Sequence, residues 1–176
     1  MNTPYLLIIT GRPGSGKTTL AQHLSEELHL PLLSRDEIKE GYARTYGLGH
    51  DNLPPDTNLI VTELFFETIA TWLEAGISLI VEAAFQHTIW DLHLTPLLSH
   101  CYAHLVICRA DEEEVGARLS KRLLTDPDHA YYHGDGATHP LMTYHEPNLG
   151  VPTYILETTS GYTPSLDWLI KEVFCS

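Results

Sequence analysis

Residues 5–10 form a short apolar run that stops at Gly11, and Gly14 and Gly16 follow before the chain reaches Lys17, Thr18 and Thr19. Glycine loses more backbone freedom on folding than any other residue, so this concentration implies a backbone path that a Cβ would block. After the turn, Leu20, Ala21, Leu24 and Leu28 recur at the spacing of one helical face. Gly11-x-x-x-x-Gly16-Lys17-Thr18 is the pattern of a phosphate-binding loop, here in its expected setting between a strand and a helix. In such a loop main-chain N–H groups turn inward onto phosphate oxygens. The positive end of the following helix points to the same place. The lysine reaches the β- and γ-phosphates and the threonine hydroxyl can ligate Mg²⁺. Gly11, Arg12, Pro13, Gly14, Ser15, Gly16, Lys17, Thr18 and Thr19 are therefore the expected nucleotide contacts, with Lys17 also catalytic and Thr18 a metal ligand. ATP and Mg²⁺ are the expected cofactors.

The rest of the chain alternates in the same manner. Further strands are expected at residues 31–33, 78–82, 103–108 and 153–157, each short and apolar. Ser34 with Glu37 three residues later has the form of a capping box and predicts a helix that fades near Gly47. Helices are also predicted over residues 57–75, 88–98, 111–123 and 164–174, with Thr88 and Asp111 as caps and Gly76 as a stop. Ile60, Leu64, Ile69, Trp72 and Leu73 are the residues the third helix offers to the core. Strands that alternate with helices imply a parallel sheet covered on both faces. The expected fold is α/β, a P-loop NTPase with a five-stranded parallel sheet, helices on both faces and a helical lid, in one domain over residues 1–176. Residues 124–150 are too long and irregular for an ordinary connection, which marks the region from about 111 to 150 as the lid.

The net charge of −13 bears on partners. A strand-tracking protein relies on an excess of Lys and Arg, so nucleic acid is not an expected partner. Seven of the ten basic residues fall in three groups: Arg12 and Lys17, Arg35 and Lys39, and Arg118, Lys121 and Arg122. Grouped cations in an acidic chain point to one compact anionic ligand. Cys101, Cys108 and Cys175 lack metal spacing and read as free thiols of a reducing compartment. No apolar run approaches the roughly 20 residues of a membrane span, and no signal peptide is recognisable, so a cytoplasmic protein is expected. His129, His133, His139 and His145, with Asp128 and Asp135, read as a solvated loop rather than a zinc site, since Gly134 and Gly136 break helical spacing.

Three shorter motifs follow the loop in order: Leu33-Ser34-Arg35-Asp36, Ile80-Val81-Glu82-Ala83-Ala84-Phe85, and the run from Glu114 to Arg122 in which Arg118 and Arg122 share a helical face. With the loop, they make the chain resemble, from residue 6 to about 169, the P-loop kinases grouped around the phage polynucleotide kinase domain, zeta toxins, gluconate kinase and chloramphenicol phosphotransferase. The resemblance implies that Asp36 acts as base on an acceptor hydroxyl, a reasonable task for a carboxylate within hydrogen-bond reach. It implies that Glu82 holds a water on Mg²⁺. Many relatives have aspartate, a small residue and threonine there, whereas this chain has Glu82-Ala83-Ala84, closer to the toxin-type kinases. It places Arg118 and Arg122 on a lid helix, where guanidiniums suit the charge building on transferring phosphoryl oxygens. Local readings stay open beside these: Asp36 as a helix N-terminal charge, Glu82 as a structural carboxylate, and the arginines as surface partners of Glu114. Arg35 and Lys39 read equally as contacts to substrate or nucleotide phosphate and as solvated charges. Tyr42, Arg44 and Tyr46 are candidate acceptor contacts, and Thr159 and Tyr162 lie where relatives cradle adenine. Tyr131 and Tyr132 suit either stacking or local packing. The implied activity is ATP-dependent transfer of the γ-phosphate to a hydroxyl of a small molecule. A polynucleotide 5′-hydroxyl kinase and a nucleotide-binding regulatory module without an acceptor are the alternatives.

Overall fold

Alternation along the first strand sets the layering. The computed structural model describes residues 3–126, 131–132 and 144–174. In strand β1 (Tyr5–Gly11), Leu6 and Ile8 face one layer and Leu7 and Ile9 the other. The first layer holds Phe65 and Ile69 of helix α3 (Thr57–Glu74) and Trp90 and Leu94 of α4 (His87–Leu94). The second holds Leu20 and Leu24 of α1 (Lys17–Leu28) and Leu169 and Val173 of α6 (Leu166–Phe174). A strand buried on both faces must be apolar throughout, which is why residues 6–9 show no polar alternation.

The sheet has the order β2 (Leu32–Ser34), β3 (Leu79–Glu82), β1, β4 (Tyr102–Arg109), β5 (Thr153–Glu157), with every pair parallel. Helices α2 (Arg35–Tyr46) and α5 (Glu112–Thr125) follow β2 and β4. The helix after β1 lies on one face and the helix after β3 on the other. A crevice therefore opens between the C-terminal ends of these neighbouring strands, the usual place for a ligand in an open α/β sheet. The register puts Ile9 beside Glu82 and Ser34 beside Glu82, so all three lie at that end.

Four expectations are corrected. Ile60 and Leu64 are exposed at 37% and 47%, and Val61, Phe65 and Phe66 are buried in their place. Leu59, Ile60 and Leu64 stand among the polar residues of the outward side and are as apolar as those facing the core, so hydrophobicity alone does not select the buried face of α3. Edge-on packing of Phe65 against Trp90 and Phe85 makes the selection. Helix α4 starts at His87 behind Gln86, leaving Thr88 inside it, and it ends at Leu94 rather than residue 98. Pro96 lacks the N–H to continue the ladder, and the helix stops there although Thr95 before it still has helical angles, φ −49° and ψ −41°. Finally, Ser34 occupies the N-cap position of α2 but makes no capping bond with its side chain. Cys101 and Cys108 are free and buried, and Cys175 lies outside the described residues. Among the described residues no helix is long and apolar enough to cross a membrane.

Candidate functional site

Gly11, Gly14 and Gly16 have φ of 154°, 81° and 82°, which turns the chain sharply between β1 and α1. A Cβ on Gly11 would lie 2.5 Å from Ser15 Oγ and 2.6 Å from the Cys108 carbonyl oxygen. The second contact is backbone of the neighbouring strand and cannot yield. Gly11→Ala is therefore expected to weaken ATP binding at least about tenfold and to cost about 1–3 kcal/mol of stability, from the strained backbone. Nucleotide titration and urea unfolding read the two effects; unchanged affinity would show that the turn does not shape the site. The loop closes on itself through the Ser15 N–H, which donates to the Arg12 carbonyl at 3.1 Å. Arg12 donates to the Ala110 carbonyl at 2.9 Å and lies 3.7 Å from Glu112, which ties the loop to the start of α5. Gly16 ends the loop as the N-cap of α1, so the unbonded N–H groups of the first turn, at Lys17, Thr18 and Thr19, open toward the cleft.

Lys17 is 7% exposed and its ammonium lies 3.6 Å from Glu82 Oε1. Glu82 is 1% exposed, and its other oxygen accepts a hydrogen bond from Ser34 Oγ at 2.9 Å. The Ser34 hydroxyl that the sequence suggests as a helix cap is thus taken by a carboxylate 48 residues away. A buried carboxylate needs partners, and the one Glu82 finds in Lys17 lies just beyond hydrogen-bond distance. Its Oε1 is buried with no hydrogen-bond partner. This donor set fits Mg²⁺, which takes one or two protein oxygens and leaves its other positions to waters and phosphates. Thr18 and Glu82 would hold it. Bound there, the cation would neutralise charge on the β- and γ-phosphate oxygens. Cys108, beside β1 at the foot of the loop, is pushed up to about 12 by burial and stays a thiol.

Asp36 stands in the first turn of α2, two residues past Ser34, with 44% of its side chain exposed. Arg35 Nη1 lies 3.7 Å from it, while Arg35 Nη2 donates to Asn58 Oδ1 at 2.9 Å and so ties α2 to α3. Lys39, one turn on, is buried and lies 3.2 Å from His50 Nδ1. Burial holds both cations below their ordinary values; for Lys39 the charge of Arg35 adds to this, and Asp36 opposes it for both. Tyr42 and Tyr46 pack on each other at 4.8 Å, and the Arg44 guanidinium lies 4.7 Å from the Tyr132 ring.

On the opposite side a cleft of about 430 Å³ is lined by Gly14, Gly16, Thr19, Arg118, Arg122 and Tyr162. Arg118 and Arg122 thus share a site as well as a helical face. Arg118 donates through Nε to Glu114 at 2.8 Å and through Nη1 to the Gly14 carbonyl at 3.3 Å, so both the acidic partner and the loop claim it. Thr159 accepts from the Asp111 N–H at 3.0 Å, and Tyr162 pairs with His23 at 3.1 Å. The sequence reading passed over Thr158, which is 4% exposed. Its hydroxyl lies 2.7 Å from the Ser15 carbonyl and accepts from Arg118 at 3.2 Å. The polar residue directly after β5 was a signal that β5 delivers a side chain to the loop, but its partner lies 143 residues away. Thr158→Val leaves the Ser15 carbonyl without its donor and is expected to cost about 1–3 kcal/mol. Urea denaturation checks this; a change below about 0.5 kcal/mol would mean the contact carries no load.

Tyr144 donates to Thr10 Oγ1 at 3.0 Å, and Thr10 donates to the Ala83 carbonyl at 2.7 Å. Arg109 grips both oxygens of Glu146 at 2.7 and 2.6 Å. Residues 144–148 therefore run past the C-terminal ends of β1 and β4 to the start of α4. His145 accepts from the His87 N–H at 3.4 Å, whereas His129, His133 and His139 lie outside the described residues.

A family model described as AAA domain (AAA_33) matches residues 6–134. A solved structure from Chloroflexus aurantiacus J-10-fl, provisionally assigned as a kinase, is 28% identical and superposes with a TM-score of 0.79 over 90% of each chain. A sugar kinase from Janibacter sp. HTCC2649 is 16% identical with a TM-score of 0.69, over 98% of this chain and 96% of that one, a likeness of fold. A curated relative, the cytidylate kinase of Pyrobaculum calidifontis, is 28% identical over 117 residues, which are 64% of this chain. The chain spans 57% of that relative's length.

Proposed function

The chain belongs to the AAA domain family whose members include P-loop kinases, and from that premise we propose that it is an ATP-dependent phosphotransferase acting on a hydroxyl of a small molecule. The observation that carries the reading is the line Lys17–Glu82–Ser34, which brings the phosphate-binding loop, a candidate metal carboxylate and the start of α2 with Asp36 to one end of the sheet. Lys17 and the first-turn N–H groups of α1 orient the triphosphate. Asp36 accepts the proton of the acceptor. The acceptor oxygen bonds the γ-phosphorus, and the bond from that phosphorus to the bridging oxygen breaks with its electron pair leaving on ADP. Arg118 and Arg122 face the nucleotide side, Arg118 fixing the loop through Gly14. Catalysis of this type works by positioning and charge stabilisation. In this reading the chain is a single catalytic domain whose lid begins with α5; residues 127–130 and 133–143 of the expected lid lie outside the described residues.

A second reading is transfer to the phosphate of a nucleoside monophosphate, favoured by the likeness to a cytidylate kinase. The two differ at Asp36: a hydroxyl must shed a proton and a phosphate oxygen already ionised at neutral pH need not. Release of ADP with a panel of hydroxyl compounds and nucleoside monophosphates separates them. The proposal predicts stimulation by a hydroxyl compound that carries no phosphate acceptor, or whose product is a phosphate ester. Stimulation by nucleoside monophosphates alone, with diphosphate products, would replace it by the second reading. Slow hydrolysis indifferent to every compound would favour a nucleotide-sensing module.

A further inference from the structure

The segment that begins at Tyr144 meets the root of the phosphate-binding loop on the side of the sheet away from α1. Thr10 immediately precedes Gly11, is fully buried, and has the parity of Leu6 and Ile8, which face the layer of α3 and α4. Its hydroxyl has one hydrogen, and that hydrogen goes to the Ala83 carbonyl at 2.7 Å. Tyr144 is therefore the donor to the Thr10 oxygen, at 3.0 Å. Burial pushes the Tyr144 hydroxyl up to about 12, so it keeps the proton this bond needs. Ala83 is the residue after Glu82, and its N–H donates to the Ile9 carbonyl at 3.3 Å. Both polar groups of Ala83 are thus fastened to β1, one of them through the Thr10 side chain. The relay from Tyr144 through Thr10 to Ala83 joins the root of the loop to the backbone that leaves the candidate metal carboxylate. Hydrogen bonds in such a chain polarise and strengthen one another.

The segment that carries Tyr144 is a firm support. Arg109 holds Glu146 through two bonds, the Asn148 N–H donates to His87 Nδ1 at 3.2 Å, and Leu149 is buried in the first layer. Glu82 is less firmly held. Ser34 bonds one of its oxygens, while Oε1 stands 3.6 Å from the Lys17 ammonium with no hydrogen-bond partner among the described residues. The place of Oε1 relative to the loop is therefore set largely by the backbone around residue 82. We propose that Tyr144 is a positioning residue for the Mg²⁺ carboxylate: through Thr10 it holds the Ala83 peptide, and with it Glu82, at a fixed distance from the loop. The proposal rests on the reading of Glu82 as a metal ligand given above, together with the relay itself. A tyrosine that only filled the layer could be phenylalanine without consequence for a bound cation.

The test measures AMP-PNP affinity by calorimetry in excess Mg²⁺ and again in EDTA, and the ratio of the two is the gain that the cation supplies. Wild type is expected to show a gain, and Glu82→Gln to lose most of it. Tyr144→Phe is expected to cut the gain about threefold to tenfold, the low end of what outer partners of a metal site contribute, because it acts through Thr10. Its affinity in EDTA should stay close to that of wild type. Thr10→Val removes the middle hydroxyl and should lose at least as much, whereas Thr10→Ser keeps the hydroxyl and should keep the gain. Tyr144→Phe added to Glu82→Gln should cost nothing further, since both act on the same ligand. The two Thr10 variants carry the test if Tyr144→Phe does not fold. Urea unfolding of each variant identifies a purely structural tyrosine: lower stability with an undiminished gain overturns the inference. A further loss of gain when Glu82 is already replaced overturns it as well, as does a wild type that binds AMP-PNP equally with and without Mg²⁺. A wild type that binds no AMP-PNP refutes the phosphate-loop reading and this inference together. The expected pattern in a protein that transfers phosphate to no compound refutes the transfer reading and leaves the role of Tyr144 standing.

Discussion

Replacing Lys17 by methionine is expected to lower kcat/KM for ATP-dependent transfer on the order of 10³-fold, the scale of removing a preorganised donor from phosphoryl oxygens. A second consequence follows from the other contact of Lys17. Its ammonium is the cation beside Glu82, and Glu82 is 1% exposed with one oxygen already lacking a hydrogen bond. Removing one member of a buried pair leaves the other uncompensated, at about 3–5 kcal/mol. Lys17→Met should therefore be both inactive and less stable in urea. Combining it with Glu82→Gln separates the effects: the neutral amide can still accept from Ser34, so stability should return while activity does not. If Lys17→Met keeps activity within a few fold of wild type, the loop does not work as a catalytic phosphate site. If the double variant regains no stability, the pair is not what holds that end of the sheet together.

Asp36→Asn is expected to lower transfer to a hydroxyl by about 10²–10⁴-fold, the range for losing a positioned general base. Asparagine is nearly the same shape and can still hydrogen-bond the acceptor, so the loss should fall on kcat while KM for ATP stays close to wild type. The site geometry gives the reason: Asp36 lies in the first turn of α2, which follows Ser34 and so stands beyond Glu82 from Lys17 of the loop. Steady-state kinetics with the best hydroxyl compound reads the split. An equal loss in nucleotide affinity would mean that Asp36 serves the ATP site, and no loss at all would remove it from the chemistry.

What could be read from the chain and what could not divides by distance along it. The strand–turn–helix around Gly11 to Lys17 is local, and α1 has the same bounds, residues 17–28, in the structure as in the periodicity. The five-strand parallel sheet was likewise legible, because short apolar runs between helical patterns leave few alternatives. Ser34 was misread because its nearest partner in sequence, the helix it precedes, loses to Glu82, which the sheet register sets directly beside it. The outward side of α3 was misassigned because Leu59, Ile60 and Leu64 are as apolar as the residues that face the core. The position of Thr158 after β5 was legible but its partner was not, because that partner is the carbonyl of Ser15, near the other end of the chain. Arg118 carried two readings from the sequence; the structure shows the local pair with Glu114 and adds a bond to the Gly14 carbonyl that the sequence did not signal.

The shortest strand imposes the strictest tolerance. β2 has three residues, and its last one, Ser34, reaches Glu82 only because it falls on one side of the pleat. Adding or deleting a single residue there would turn that hydroxyl to the opposite side, and everything on α2 would rotate by about 100° with it. Length variation in this protein should accordingly be purged between residues 32 and 36 and tolerated at the glycine-flanked corner near residue 47, so natural diversity in acceptor choice is free to evolve by substitution along α2 but not by slippage at its root.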